Sequence, residues 1–555
     1  MTATADLLVQ IGDTGLEPGF KPIPAAITVG MLLLFLGVGY VFRVAEVDDL
    51  WVAGRGIGNI ENGMAIGANW MSAASYLAVA SLVALSGYFG LAYLVGWTTG
   101  YFVLLIFMAA QFRRFGKYTA PDFVGDRFYS DGARAVAAFT TLLIGFVYAV
   151  GQGRGMGLMS IYLFGTDYAT GVILLMGITI GYVALSGMLG ATKNMALQYV
   201  ILIIAFLAGL YAVGWTQGYS TVLPYLEFGD EATRVANTIA AEFTAPFANA
   251  SYYQWVALAF TLIVGTAGLP HVLVRFYTVE NERTARWSCV WGLFFICLLY
   301  WGTAAYAAFG TLLGEQTPGL SYPFTGEQGD VMVVLTAQMA NLPQWLVGLV
   351  AAGGVAAALA TVAGLFIAGS SAAAHDLYTN IVNEDATQRQ QLVVGRVTIV
   401  LLGILVTLTA INPPALIGEL VSMAFAISGS VLFPMFFLGL WWENTTREGA
   451  LAGMFTGLAF STFGIVNEVL PTIAGINQGE PLVPAAAAVI PATSSALVAV
   501  PVVFLVTIAV SLVTEDPPTE VKRLVRQCHS PEPMQRMESA EDVVSGSGGG
   551  TPGDD

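Results

Sequence analysis

The sequence predicts an all-α polytopic membrane protein of about thirteen transmembrane helices, ten of them arranged as two inverted units of five. Three observations carry this. Of 555 residues, 56% are hydrophobic and only 10% charged, and the mean hydropathy is +0.71, which excludes a soluble globular domain of ordinary composition. Apolar runs of about 20 residues, the length that crosses a bilayer, recur thirteen times. Two of those runs are interrupted near their middle, and each opens a stretch of five.

The spans are read near 24–43, 62–87, 91–110, 135–163, 168–189, 195–214, 253–274, 287–312, 345–372, 396–411, 415–441, 449–469 and 486–513. They divide the chain into an extracellular segment 1–23, a transmembrane domain 24–513 with repeats at about 62–214 and 253–441, and a tail 514–555. Residues 1–23 are polar and carry Asp6, Asp13 and Glu17, so the first apolar run is expected to be retained rather than removed as a leader. The tail is charged and ends in SGSGGGTPGDD, a composition that cannot bury a core, and it is expected to be cytoplasmic and disordered.

The second span organises the rest. Its stretch GANWMSAAS, Gly67 to Ser75, places Gly67, Asn69, Ser72 and Ser75 where an ordinary membrane helix carries Leu and Val. It reads as a discontinuous helix or as a small-residue face for close helix packing. The seventh span shifts that balance. In LIVGTAGLPHVLVRFYT, Leu262 to Thr278, Gly265, Gly268 and Pro270 remove side chains and a backbone donor from mid-membrane. Interrupted helices opening successive five-helix units point to inverted repeats, spans 2–6 and 7–11, with a solute site between them at the midplane. Five is odd, so the two units run in opposite directions.

Lys and Arg set the orientation. With the N-terminus outside, the external segments hold only Lys21 and Arg234, and Arg154 lies inside a span. The remaining cations, among them Arg113, Arg114, Lys117, Arg275, Arg283, Arg286, Lys522 and Arg523, fall on the cytoplasmic side. The external stretches 215–252 and 313–330 are acidic. The protein is therefore expected in the cell membrane with its C-terminus in the cytoplasm.

Several function classes are excluded. A net charge of −16 is incompatible with a basic nucleic-acid surface. Cys289, Cys297 and Cys528 form no CxxC pair and do not cluster with the three histidines, so no disulfide framework or zinc site is indicated. No Walker A pattern occurs, since Gly116-Lys117 is followed by Tyr118. The chain is not expected to be an enzyme, and no cofactor or obligate protein partner is indicated.

The residues carry a resemblance from about Leu50 to Val513. GANWMSAASYLAVASLV after Ile66, GTAGLPHVLVRFYTV at 265–279, AGSSAAAHDLY at 368–378 and SMAFAISGSVLFPMFFLGLWW at 422–442 resemble the sodium:solute symporter family, and within it the cation/acetate symporters. GLWWENTTREGALAGMFTG at 439–457 is similar too, although Asn444 stands where the family usually has Lys or Arg.

The resemblance implies a leucine-transporter-like fold and a sodium site whose ligands are the carbonyls of Ala68, Met71 and Ala357 and the hydroxyl of Thr361. Hard cations want several oxygens, and freed helix carbonyls supply them without burying a full negative charge. Taken alone, Thr361 reads as a packing threonine bonded to its own preceding turn. Ala360 stands where the sugar and proline branches have a second hydroxyl. Trp70 stands where the proline branch has an aspartate, and Asn69 where acetate permeases carry one. Met195 replaces the aspartate of a WTD motif in the sugar and proline branches. These departures leave sodium and proton coupling both open.

For an anionic solute, the backbone at Gly268 and Leu269 and the hydroxyl of Ser72 are candidate contacts. Arg154, in VGQGRGMG, either binds a carboxylate or snorkels to the outer interface. His271 is either a proton-sensitive gate or a structural histidine, and His375 is expected to cap the end of span 9. The reading is a symporter importing a short-chain monocarboxylate, acetate first, with sodium or a proton. The alternatives are a cation-coupled symporter for propionate, pyruvate or an amino acid, and a transporter-like sensor.

Overall fold

Glycine decides where the longest helices fold back. The structure, a computed structural model, describes residues 14–530 apart from 18, 44–46, 220–227, 249–250, 319, 321–323 and 488. Among the described residues, ten helices are long and apolar enough to cross a membrane, or eleven when the bent pair Tyr252–Gly268 and Pro270–Phe276 counts as one span. Two of the ten exceed one crossing. Tyr168–Thr216 turns at Gly187 (φ 54°, ψ −158°), and Ala74–Phe107 turns at Gly87 (φ 55°, ψ −141°), a backbone region that only glycine enters without strain.

Packing shows that these turns reverse the chain. A Cβ at Gly39 would lie 3.6 Å from Tyr182 and 3.7 Å from Asn194. On a straight helix those two residues would stand about 18 Å apart. Likewise, a Cβ at Gly90 would lie 2.6 Å from the Leu82 carbonyl, eight residues back. Divided at the two glycines, the helices give the thirteen spans read from the sequence.

In order they are span 1, Pro22–Val41; span 2, Asn59–Trp70 continued by Val79–Ser86; span 3, Leu91–Phe107; span 4, Asp131–Phe164; and spans 5 and 6 within Tyr168–Thr216. Span 7 is Tyr252–Gly268 with Pro270–Leu273, and span 8 is Glu282–Gln316. Span 9 is Gln344–Ser371, continued as a wider π-type helix over Ala372–Val382. Spans 10 to 13 are Gln388–Ala410, Ile417–Trp441, Arg447–Ala474 and Ala496–Val513.

The contacts map onto themselves when spans 2–6 are exchanged with spans 7–11. Span 2 packs on span 8 through Gly63 against Trp291, and span 7 packs on span 3 through Gly96 against Leu262. Span 2 meets span 6 at Gly67 and Tyr199, and span 7 meets span 11 at Gly265 and Phe425. Span 4 meets span 11 at Gly151 and Leu420, and span 9 meets span 6 at Val350 and Gly209. This exchange is what a five-plus-five repeat requires. Spans 9 and 11 are central, with 94% of their most apolar windows buried, against 28% for span 10 and 33% for span 13.

Several boundaries differ from the sequence reading, most of all in spans 10 and 13 and the tail. Span 10 begins at Gln388, eight residues early, because Thr387 and Gln390 close a capping box there (Gln390 N to Thr387 Oγ1, 3.3 Å; Thr387 N to Gln390 Oε1, 2.8 Å). Span 13 begins at Ala496 rather than near 486, the approach holding Pro484, a proline at 491 and only a short helix Pro484–Ala487. The tail is not wholly disordered, since Thr519–His529 is a helix. It buries Val525 and Cys528, bonds Arg526 to Glu443 (2.7 Å) and sets His529 on the Leu440 carbonyl (2.7 Å). Its apolar residues Val521, Leu524, Val525 and Cys528 follow helical spacing, so the signal was in the sequence. Residues 531–555 lie outside the described residues, as does most of segment 1–23.

Candidate functional site

Span 2 stops being an α-helix at Met71 (φ −72°, ψ 65°) and resumes as a π-type turn over Ala74–Ala78. In an unbroken helix, the N–H groups of Ser72, Ala73 and Ser75 would bond the carbonyls of Ala68, Asn69 and Met71. They turn elsewhere instead. Ser72 N–H donates to the Trp70 carbonyl (2.7 Å), Ala73 N–H to Gln152 Oε1 on span 4 (2.7 Å) and Ser75 N–H to Ser72 Oγ (3.3 Å). The Ala68 and Met71 carbonyls are thereby released from the helical ladder. Asn69 O accepts a hydrogen bond from Thr361 Oγ1 of span 9 (2.9 Å), which also donates to Ala357 O (3.2 Å).

The donor set is thus oxygen-rich and free of carboxylates, chemistry that suits a monovalent hard cation. Ala68, Met71, Ala357 and Thr361 are all buried. Thr361 meets span 2 at the Asn69 carbonyl, next to Ala68. The side chain of Asn69 also lies inward, and its Oδ1 has no hydrogen-bond partner among the described residues.

Span 7 breaks at Leu269, whose extended backbone (φ −69°, ψ 118°) separates helices bent by 51°. Gly268 is required by close approach, since a Cβ there would lie 2.6 Å from the Ser428 carbonyl of span 11. Ser428 in turn donates to the Gly265 carbonyl (2.9 Å), which the Leu269 N–H leaves by turning to Thr266 at the break. Between the two breaks lies a buried aromatic group. Trp70 is edge-on to Tyr101 (4.7 Å) and Phe425 (5.5 Å), and Tyr148 is edge-on to His271 (5.6 Å) and near Phe425 (5.8 Å). The Tyr148 hydroxyl lies near Ser72. Phe425 of this group also packs on Gly265, three residues before the Gly268–Leu269 break.

Arg154 lies apart from this group. Gln152 and Gly155 face the span 2 break, while Arg154 points to the opposite side of the same helix. Its Nε bonds Asp330 Oδ2 (2.6 Å), its NH2 is 3.9 Å from Glu327, and its NH1 donates to the Ala415 carbonyl (3.4 Å). Arg154 is 5% exposed, so it does not snorkel. The carboxylate it holds here is the chain's own. Burial pushes the Asp330 carboxyl up to about 6, although Arg154 pulls the other way.

His271 is buried, and its Nε2 has no hydrogen-bond partner among the described residues. His375 does not cap span 9, because its Nε2 reaches Asp122 Oδ2 (3.2 Å) on the helix Ala120–Arg127. Asp122, His375 and Asp376 offer atoms within 4.8 Å of one another. The positive charge among them comes from Arg134, 2.7 Å from Asp122 and 3.8 Å from Asp376.

The profile of the sodium:solute symporter family matches residues 50–457. The chain belongs to that family. An uncharacterized symporter of Bacillus subtilis is 31% identical over 457 residues, covering 80% of this chain and 86% of its own length. An uncharacterized symporter of Cupriavidus necator is 28% identical over 589 residues, covering 80% and 85%. In fold, the symporter is similar to a Na+-coupled sialic acid symporter solved in a substrate-bound outward-open state. The TM-score is 0.71 at 15% identity, over 90% of this chain and 99% of that one. The leucine-transporter-like fold expected from the sequence is the fold observed.

Three residues of the symporter's candidate site escaped sequence reasoning. Gln152 accepts the Ala73 N–H, Tyr148 meets Ser72 and His271, and Asp330 neutralises Arg154. Gln152 is the one with a signal, as an amide among glycines in mid-span (VGQGRG).

Proposed function

We propose that this symporter imports a short-chain monocarboxylate, acetate first, together with sodium by alternating access around the breaks in spans 2 and 7. The observation that carries the coupling ion is the Thr361 hydroxyl on the Asn69 carbonyl, beside the freed carbonyls of Ala68 and Met71. Thr361, Ala357, Ala68 and Met71 hold the cation, and none of them brings a formal charge. A bound sodium ion takes the place of the Thr361–Asn69 hydrogen bond, the hydroxyl turning its proton away and presenting its oxygen to the ion, and so ties span 9 to span 2. The carboxylate is received near Ser72, Gly268 and Leu269, with the aromatic group between the breaks favouring a small solute with a short apolar end. Membership of the family and the resemblance to cation/acetate symporters support this substrate class. Arg154 acts as an outer lock with Asp330 rather than as the first carboxylate contact.

The N-terminus lies outside and the C-terminus inside, in keeping with the distribution of Lys and Arg. One sodium with one acetate carries no net charge, so transport is electroneutral and a tenfold sodium gradient supports about tenfold accumulation. The test is uptake of labelled acetate into proteoliposomes under a sodium gradient, at zero potential and then with the interior made negative by potassium and valinomycin. Sodium-dependent uptake insensitive to potential is expected. Strong stimulation by potential would overturn the one-to-one stoichiometry. Uptake driven equally by a proton gradient without sodium would reassign the coupling ion.

A further inference from the structure

Arg275 stands five residues beyond Pro270, on the short helical stretch that leaves the span 7 break. Its side chain is fully buried, with 0% exposure. It donates to Thr192 Oγ1 (2.8 Å) and to the thioether of Met195 (2.7 Å), and its Nε has no hydrogen-bond partner among the described residues. No carboxylate of the described residues pairs with it, in contrast to Arg134 and Arg154. The other buried arginine of this kind, Arg127, spends its guanidinium on three backbone carbonyls, those of Gly439, Thr445 and Trp442.

A guanidinium is always charged, and a buried charge is costly unless it is paired and fully hydrogen-bonded. Thioether sulfur is a weak acceptor and threonine a neutral one, so neither neutralises Arg275. His271, four residues earlier, adds a second buried nitrogen without a partner. Four residues of helix span about 6 Å, so both groups lie within a turn or so of the break.

We propose that Arg275 anchors a buried site for a small monovalent anion, a carboxylate or a halide, on the inner side of the break in span 7. A planar carboxylate suits the guanidinium fork, and a halide suits the Nε position alone. The missing counter-ion is a property of this chain whichever solute it carries. Only the preference for a carboxylate rests on the reading of acetate as substrate, in which case Arg275 takes over the solute after it leaves Ser72 and Leu269.

The test uses full-length protein in detergent at fixed sodium, with gluconate as the reference anion and acetate or chloride added in separate arms. Thermal unfolding of the wild type is expected to move to higher temperature with at least one of them, the responding arm identifying the anion. Met195→Asp, which supplies an internal carboxylate, is expected to weaken that response at least about tenfold in anion concentration. Arg275→Gln is expected to abolish it, and Arg275→Lys to retain part of it. Should Arg275→Gln fail to fold, Met195→Asp decides. No response of the wild type to either anion, or an equal response in Met195→Asp, would overturn the proposal. Sodium-driven acetate uptake is measured on the same preparation. A chloride response without acetate uptake keeps the anion site and sinks the substrate reading, and acetate uptake without any anion response does the reverse.

Discussion

The Thr361 hydroxyl donates 2.9 Å to the carbonyl of Asn69, 292 residues away in sequence, and so fastens span 9 to the break in span 2. Its second contact, 3.2 Å to Ala357 O, is the ordinary back-bond of a helical threonine. Thr361→Ala removes one of the proposed sodium ligands and little volume. The sodium concentration for half-maximal uptake is expected to rise about tenfold, equivalent to about 1.4 kcal/mol, while the unfolding temperature changes little. Unchanged sodium activation with normal uptake removes Thr361 from the site.

Much of this arrangement was legible because breaking a membrane helix needs particular residues. Asn69, Ser72 and Ser75 in one span, and Gly265, Gly268 and Pro270 in another, announce freed backbone in the sequence itself. The partners of that freed backbone were not legible. Gln152 lies 79 residues from the Ala73 N–H it accepts, and Asp330 lies 176 from Arg154. Spacing along the chain holds no information on such pairs, which only the packing of span 4 against its neighbours creates. The gap expected between spans 5 and 6 shrank to one glycine, because only Gly187 among the glycines there takes positive φ.

Gln152 tests whether the break is held open by the protein. Gln152→Leu leaves the Ala73 N–H buried without an acceptor, a cost of about 1–3 kcal/mol. Gln152→Glu keeps an acceptor oxygen. Leu is therefore expected to lower both unfolding temperature and uptake, with Glu retaining more of each. Equal behaviour of the two variants would show that the Ala73 N–H finds another acceptor.

Gly268→Ala addresses the second break. The added methyl would meet Ser428 backbone at 2.6 Å, and backbone cannot swing aside as a side chain can. Overpacking of this kind costs about 1–3 kcal/mol. Acetate uptake is expected to fall far more than expression, because spans 7 and 11 must separate for the methyl to fit. Uptake within about twofold of wild type would place Gly268 away from any moving contact.

Arg154 and Asp330 form a buried pair, so removing one partner strands the other. Arg154→Gln or Asp330→Asn alone is expected to destabilise by about 3–5 kcal/mol, with Arg154→Leu combined with Asp330→Leu recovering much of the loss. Thermal unfolding of Arg154→Leu, Asp330→Leu and the double Leu variant, closed with the wild type as one cycle, gives the coupling energy. Additive losses would show that the pair is not coupled. If Arg154 were the primary carboxylate contact, the double variant would regain stability without any acetate uptake. Retained uptake in that variant supports the lock.

Asp122 gives a pH signature at the inner end of span 9. Burial disfavours its charge, but the hydrogen bond and charge of His375, with the charges of Arg134 and Lys117, outweigh that and hold its carboxyl below the usual carboxylate range. A carboxyl depressed in the folded state contributes stability above its unfolded value, near 3.9, and loses it as pH falls through the folded value. Asp122→Asn is therefore expected to cost about 3 kcal/mol at pH 7, because Arg134 loses its closest buried partner. That deficit should hold down to about pH 4 and narrow below it, as the wild-type carboxyl takes up its own proton. Unfolding temperatures of both proteins across pH 7 to about 2, the folded value of Asp122, make the comparison. A deficit that stays constant to the lowest pH would mean that the penalty comes from packing of the helix Ala120–Arg127 and not from its charge. A deficit that vanishes already near pH 6 would point to titration of His375 as the event that breaks the network.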